Sequence, residues 1–402
     1  MKAFERLIEY TKFETGSDES SEKIPSTDSQ KTFAEHLVAE LKNMGIDNAY
    51  MDEYGYVYAR IYANCEKNKG KTIGFIAHMD TVSDVEYRNV KCRVIDNYDG
   101  EDIVLNEEKN IILPAMSEYK GNSLVVTDGT TILGADDKAG IAEIMTMAER
   151  FMTDESLLHG DISICFTPDE EIGRGADYFD FKVFNADYAY TVDGGLFGEI
   201  EYENFNAINA KVTIYGKNVH PGTAKAGGMK NANNIAMEFD SMLPVNERPE
   251  YTEGYEGFYH LTDVSSDVEK AEMSYILRDP DGVKIKIKRA TFEKIAEFLN
   301  TKYGKGTVVL EMKDAYANMA EKILPHYHLI ENAVAAIESV GGVARSGLIR
   351  GGTDGVRLSF SGLPCPNLGT GSDNHHGRYE FAVCEEMDMT VETLINIVKA
   401  YR

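Results

Sequence analysis

Residues 167–175 read TPDEEIGRG. Glu170 and Glu171 sit side by side there, although like charges repel. A solvated turn tolerates that arrangement. A metal site exploits it, because a bound cation offsets the repulsion and dominates the local electrostatics. The pattern recurs along the chain. His78 and Asp80 close KTIGFIAHMD (71–80), Asp136 lies in GTTILGADDKAG (129–140), and Asp193 closes ADYAYTVDGG (186–195). Each follows an apolar, strand-like run. In open α/β sheets the carboxyl ends of the strands line the binding crevice. Separate segments thus bring one histidine and five carboxylates to one sheet edge. Nitrogen and oxygen donors of this kind suit Zn²⁺ or a similar divalent ion. A single His-x-Asp often does no more than end a strand. Several such segments in order are hard to explain as turns.

The elements that position these residues alternate between strand and helix. SQKTFAEHLVAELKNMG (29–45) spaces Phe33, Leu37 and Leu41 along one helix face. MKAFERLIEY places Phe4, Leu7 and Ile8 on one side of a first helix. GTTIL, DISICFT and ADYAYTV read as short strands. This alternation predicts an α/β fold, a mixed and largely parallel sheet sandwiched by helices. The character changes near residue 208. INAKVTIYG, a helix in MKNANNIAMEFDSML, the strands GFYHLTDV and AEMSYILRD, a helix in TFEKIAEFLNTKYG and the strand GTVVLEMKD follow. That order is β-α-β-β-α-β, the pattern of a small α+β domain. The division expected is 1–207 with 315–402 for the larger domain and 208–314 for the insert. ETGSDESSEKIPSTDS (14–29) reads as an exposed loop, and Asp169 as a solvated neighbour of the glutamates.

The 402 residues carry a formal charge of −26, with 43% hydrophobic and 27% charged residues, a globular composition. That charge argues against nucleic acid and anionic membrane as partners. No apolar run reaches the roughly 18 residues of a membrane span. The five cysteines are scattered and odd in number. They read as free thiols in a reducing cytoplasm.

HMD (78–80), GADDKAG (134–140), PDEEIG (168–173), VDGG (192–195) and NHHG (374–377) together resemble the motif set of the co-catalytic di-zinc metallopeptidases. That group includes carboxypeptidase G-type enzymes and aminoacylases. DGTTILGADDKAGIAEIM, NVHPGTAK, TEGYEGFYHL and IRGGTDGVRLS resemble its tripeptide aminopeptidase branch, and the similarity runs nearly end to end. The resemblance implies a zinc-peptidase-like catalytic domain with an inserted lid or dimerisation domain, a possible homodimer, and tripeptide substrates. Dipeptidase, carboxypeptidase and N-acyl amino acid hydrolase activities are the alternatives within the group. It implies two divalent ions, Zn²⁺ foremost, held by His78, Asp136, Glu171, Asp193 and His376. Asp136 would bridge them, with His78 and Asp193 on one ion and Glu171 and His376 on the other. The bond after Asp136 would be cis. Glu170 would be the general base. Asp80 would orient His78, which the i, i+2 spacing of a strand permits. His375 would be a bystander. His220 would stabilise the oxyanion, in its own or a partner's site. Arg278 and Arg350, with Asn318, are candidates for the peptide's carboxylate, which a guanidinium fork matches.

Overall fold

The structure is a computed structural model that describes residues 1–65 and 70–402. The chain divides into two compact units. One comprises residues 1–202, 321–347 and 353–402, the other residues 203–320 and 348–352.

An eight-stranded sheet organises the first unit. In chain order its strands are β1 (Tyr50–Met51), β2 (Val57–Ile61), β3 (Ile73–His78), β4 (Ile162–Thr167), β5 (Tyr188–Gly194), β6 (Glu199–Asn204), β7 (Arg345–Ile349) and β8 (Asn367–Gly369). Their order across the sheet is β1-β2-β4-β3-β5-β8-β6-β7. The central run β4, β3, β5, β8 is parallel, and its flanks, β2 on β4 and β6 on β8, are antiparallel. The sheet is therefore mixed, with its parallel part confined to the centre. Every residue of β3 and β4 is buried. Strands covered on both faces read as continuous apolar runs, which is why IGFIAH and ISICFT show no alternation.

Helix α1 (Ala135–Thr153) lies against β3 and β5 on one side and against the helices Ala3–Tyr10 and Cys384–Ala400 on the other. It is a middle layer, so it is apolar nearly all round rather than amphipathic. Gly140 permits the contact. A Cβ there would meet the Val192 carbonyl oxygen at 1.8 Å. The GTTIL stretch before α1 is not a strand. The strand ends at Thr127, and residues 128–134 form a loop whose last residue, Gly134, takes φ +74°. The first helix also differs in its buried face, which is Ala3, Arg6, Leu7 and Tyr10. Arg6 is buried because Glu40, Thr146 and Glu149 accept its hydrogen bonds.

The second unit has the β-α-β-β-α-β order. Its four strands pair antiparallel in the order Phe258–Ser266, Lys270–Asp279, Asn206–Tyr215, Val308–Tyr316. Lys270–Asp279 alternates strictly, burying Ala271, Met273, Tyr275 and Leu277. Those side chains meet Phe239 and Phe292 from the helices Ala232–Ser241 and Gly282–Tyr303 in one core. Asp281 caps the longer helix through the amides of Val283 and Lys284.

Candidate metal centre

His78 ends β3, and its ring is 2% exposed. Its Nε2 lies 2.9 Å from Asp136 Oδ1 and 3.4 Å from Asp193 Oδ1. His376 Nε2 lies 3.0 Å from the other oxygen of Asp136 and 3.2 Å from Glu171 Oε2. Asp136 thus offers one oxygen to each histidine, with Asp193 on one side and Glu171 on the other. The Asp136–Asp137 bond is cis, as the resemblance implies. Two sets of three donor atoms lie within 4.8 Å of one another: His78, Asp137 and Asp193, and His78, Asp136 and Glu171. Asp137 appears in the first set, but its oxygens accept from the amides of His78 (3.0 Å) and Gly140 (3.2 Å). We therefore assign it to holding β3 against α1.

Glu170 and Glu171 lie in a turn rather than an extended segment. Asp169, at φ +58°, starts the turn, and the Gly173 amide closes it on the Glu170 carbonyl. The two glutamate amides donate to the two oxygens of Asp80, at 2.9 and 3.1 Å. Asp80 also approaches His78 Nδ1, at 3.4 Å through its carboxylate and 3.0 Å through its carbonyl oxygen. It holds three site residues at once. Asp169 is fully buried, not solvated. It accepts from the Ser26 amide and hydroxyl and from Gln30 Nε2. Asp169 therefore ties the turn to the 14–29 segment, whose residues Thr15, Ser17 and Ser26 are buried rather than exposed.

The electrostatics are those of crowded carboxylates. Burial and the nearby Asp193 charge push Glu170 well above the usual carboxylate range. Burial lifts Glu171 to about 7 and also raises Asp193. Burial disfavours a His78 imidazolium, yet Asp193, Asp136 and Asp80 outweigh it and raise His78 well above its ordinary value. Hydrogen bonds to Asp136 and Glu171 push His376 up to about 10. The cluster draws positive charge. Glu171 Oε1 is buried without a hydrogen-bond partner. An orphaned carboxylate oxygen in such a cluster is what a cation would satisfy. The donor set fits a pair of divalent ions.

The chain is 52% identical to peptidase T of Clostridium novyi over 98% of each chain. It is 53% identical to peptidase T of Caldanaerobacter subterraneus over 100% of this chain and 98% of that one. The chain belongs to the peptidase T family. A model of the peptidase dimerisation domain matches residues 202–305. A crystallised aminopeptidase from Bacillus cereus superposes with a TM-score of 0.78 at 22% identity, covering 99% of this chain and 97% of that one. A Bacillus subtilis structure described as a dinuclear metal-binding peptidase of the M20 family gives 0.64 at 15% identity, covering 99% and 98%.

Other candidate residues of this peptidase T homologue fall as follows. His375 lies beside the cluster, with Nδ1 3.8 Å from Asp136 and Nε2 2.9 Å from Ser372 Oγ. His220 belongs to the second unit, where it is exposed and precedes the short turn Pro221–Thr223. Arg278 and Arg350 meet there, Arg278 Nη1 donating to the Arg350 carbonyl at 2.6 Å. The Asn318 amide is taken by the backbone: its oxygen accepts from Asn204 and Ala320, and its nitrogen donates to Pro280. Motif reading missed three buried carboxylates: Asp137, Glu380 and Asp354. Asp354 accepts from Thr167 Oγ1 at 2.9 Å, and burial pushes it up to about 7. Asp137 and Glu380 sit beside or within four residues of motif residues, and that proximity was the available signal.

Proposed function

We propose that the chain releases the N-terminal residue of tripeptides at two divalent ions held by His78, Asp136, Glu171, Asp193 and His376. The enzyme class, a peptide-hydrolysing aminopeptidase, follows from full-length identity above 50% to peptidase T. The observation that carries the site is the pair of histidines on the two oxygens of Asp136. Zn²⁺ is the ion proposed, although Co²⁺ and Mn²⁺ suit the same donors. Two such ions, when bound, lower the pKa of a water and polarise the scissile carbonyl.

The residues of the chain then have distinct tasks. Asp80 fixes the backbone of Glu170 and Glu171 together, so one turn presents one carboxylate to a cation and leaves the other for a proton. No hydrogen bond among the described residues ties the Glu170 carboxylate. It takes a proton from water as general base and delivers it to the leaving amine. His220 accepts the Gly222 amide at Nδ1, at 3.1 Å, so its proton sits on Nε2. That tautomer donates, as an oxyanion requires. His220→Ala should lower kcat with metal content unchanged, and an unchanged kcat removes the role. Arg278 and Arg350 are proposed for the peptide carboxylate, without Asn318. A homodimer through residues 202–305 and a cytoplasmic location complete the reading.

A panel of matched di-, tri- and tetrapeptides with free or blocked termini tests the function. Preference for free-amine tripeptides, with the N-terminal residue released, is expected. Equal cleavage of N-acyl amino acids would replace it with an acylase activity.

A further inference from the structure

Glu380 lies four residues beyond His376, immediately before the strand Phe381–Val383. It is 2% exposed, and no cation accompanies its carboxylate within hydrogen-bonding distance among the described residues. The carboxylate instead accepts from three backbone amides some 245 residues away in sequence. Leu133 N and Gly134 N donate to Oε2 at 2.7 Å each, and Asp136 N donates to Oε1 at 3.0 Å.

Leu133 and Gly134 lead into α1, and Asp136 lies in its first turn, where N–H groups have no partner within the helix. An N-cap side chain normally satisfies one or two of them. Here position 134 is a glycine at φ +74°, and Asp136 and Asp137 are not helical. Asp137 Oδ1 caps the regular helix at the Gly140 amide, which leaves the amides of Leu133, Gly134 and Asp136 ahead of it to be satisfied from elsewhere. A remote carboxylate satisfies them, and the positive end of the helix favours it. Asp136 is consequently held at both ends, by Glu380 at its amide and by His78 and His376 at its carboxylate. Glu380 and His376 occupy one short stretch, closed by the Glu380 amide on the Gly377 carbonyl at 3.2 Å. Through this residue the stretch that bears His376 is joined to the backbone of Asp136.

We propose that Glu380 is a positioning residue of the metal centre: through the amides of Leu133, Gly134 and Asp136 it sets the separation of Asp136 and His376. This rests on the reading that both residues hold metal. Glu380 touches neither the ions nor the substrate. Its effect should appear in how the donors meet a cation. Residues that orient metal ligands typically cost about 10- to 100-fold in metal affinity when altered.

The test is Co²⁺ titration of the metal-free full-length protein, followed by calorimetry and by the visible absorption of the bound ion. Native protein, Glu380→Gln and Glu380→Asp are compared, with circular dichroism to check the fold. Glu380→Gln keeps the shape but turns an N–H₂ toward an amide donor. It should bind Co²⁺ about 10- to 100-fold more weakly, with an altered absorption band. Glu380→Asp keeps the charge and should recover part of the affinity. Unchanged affinity and spectrum in a folded Glu380→Gln overturns the proposal. Native protein that binds no Co²⁺ overturns the metal site itself. If neither variant folds, hydrogen exchange on the metal-free native protein decides. Strong protection of the Leu133, Gly134 and Asp136 amides supports the staple, and rapid exchange overturns it.

Discussion

Two carboxylates on consecutive turn residues need their backbone held, and Asp80 holds it with one oxygen per amide. Side-chain chemistry and backbone support are thereby separated at the Glu170–Glu171 pair. Glu171 reaches His376, whereas no hydrogen bond among the described residues ties the carboxylate of Glu170. Glu170→Gln should therefore leave both ions in place, and metal analysis should find two per chain. Turnover should fall on the order of 10²- to 10⁴-fold or more, the usual weight of a general base. Loss of an ion together with activity would move Glu170 into the ligand set. The donors were legible in the sequence because each follows an apolar run at a sheet edge. The supporting acids were less so. Asp137 and Glu380 act on backbone amides, and an amide has no residue type to recognise. Asp169 reads as solvated because its partners, Ser26 and Gln30, lie some 140 residues away in sequence, yet it is fully buried on them.

At the scale of elements, α1 decides how Asp136 meets Asp193 on β5. Its contact with β5 is close at Gly140, where a Cβ would lie 1.8 Å from the Val192 oxygen and 2.5 Å from Asp137 Oδ1. A backbone oxygen cannot swing aside as a side chain can. Gly140→Ala should cost about 1–3 kcal/mol, the usual range for overpacking. Urea denaturation measures it, and an unchanged midpoint would show that the helix shifts freely. One turn on, Glu143 is fully buried, and neither of its oxygens has a hydrogen-bond partner among the described residues. Burial alone raises it well above the usual carboxylate range. An acid raised in the folded state remains protonated there while the unfolded chain ionises above about pH 4.5. The folded state then binds more protons, so its stability falls as pH rises from that point toward the folded value. Glu143→Gln cannot ionise. Its stability relative to the native chain should climb by about 1.4 kcal/mol per pH unit across that window. Denaturation at pH 5, 6 and 7 checks this, and parallel curves would place an unseen partner on Glu143. The periodicity of 29–45 gave its helix directly, and AEMSYILRD (271–279) forms the strand expected of it. The α1 region did not yield so easily, because the apolar GTTIL was taken for a strand. It is a loop: Gly129 and Thr130 donate to the Thr127 and Asp128 side chains, Ile132 to the Glu86 carbonyl, and only its last amide, from Leu133, to Glu380.

Across the whole molecule, a formal charge of −26 coexists with a set of buried and half-buried carboxylates in the first unit. Asp136, Asp137, Glu170, Glu171, Asp193 and Asp354 all belong to that unit, as do His78 and His376. The core of the second unit, from Ile208 to Val308, draws only on its own residues. Cations that bind the folded first unit and not the unfolded chain stabilise it by mass action, about 2.7 kcal/mol per site at a hundred times Kd. Removing them should therefore weaken one unit and spare the other. Hydrogen exchange read by mass spectrometry, with and without a chelator, measures both together. Peptides from β4 and β5 and from the start of α1 should lose protection on chelation and regain it when Zn²⁺ is restored. Peptides from Asn206–Tyr215 and Lys270–Asp279 should keep theirs throughout. An equal loss in both would mean that the second unit's stability depends on the metal centre. No change in either would mean that the buried carboxylates are satisfied by protons alone, and the metal assignment would fall with it.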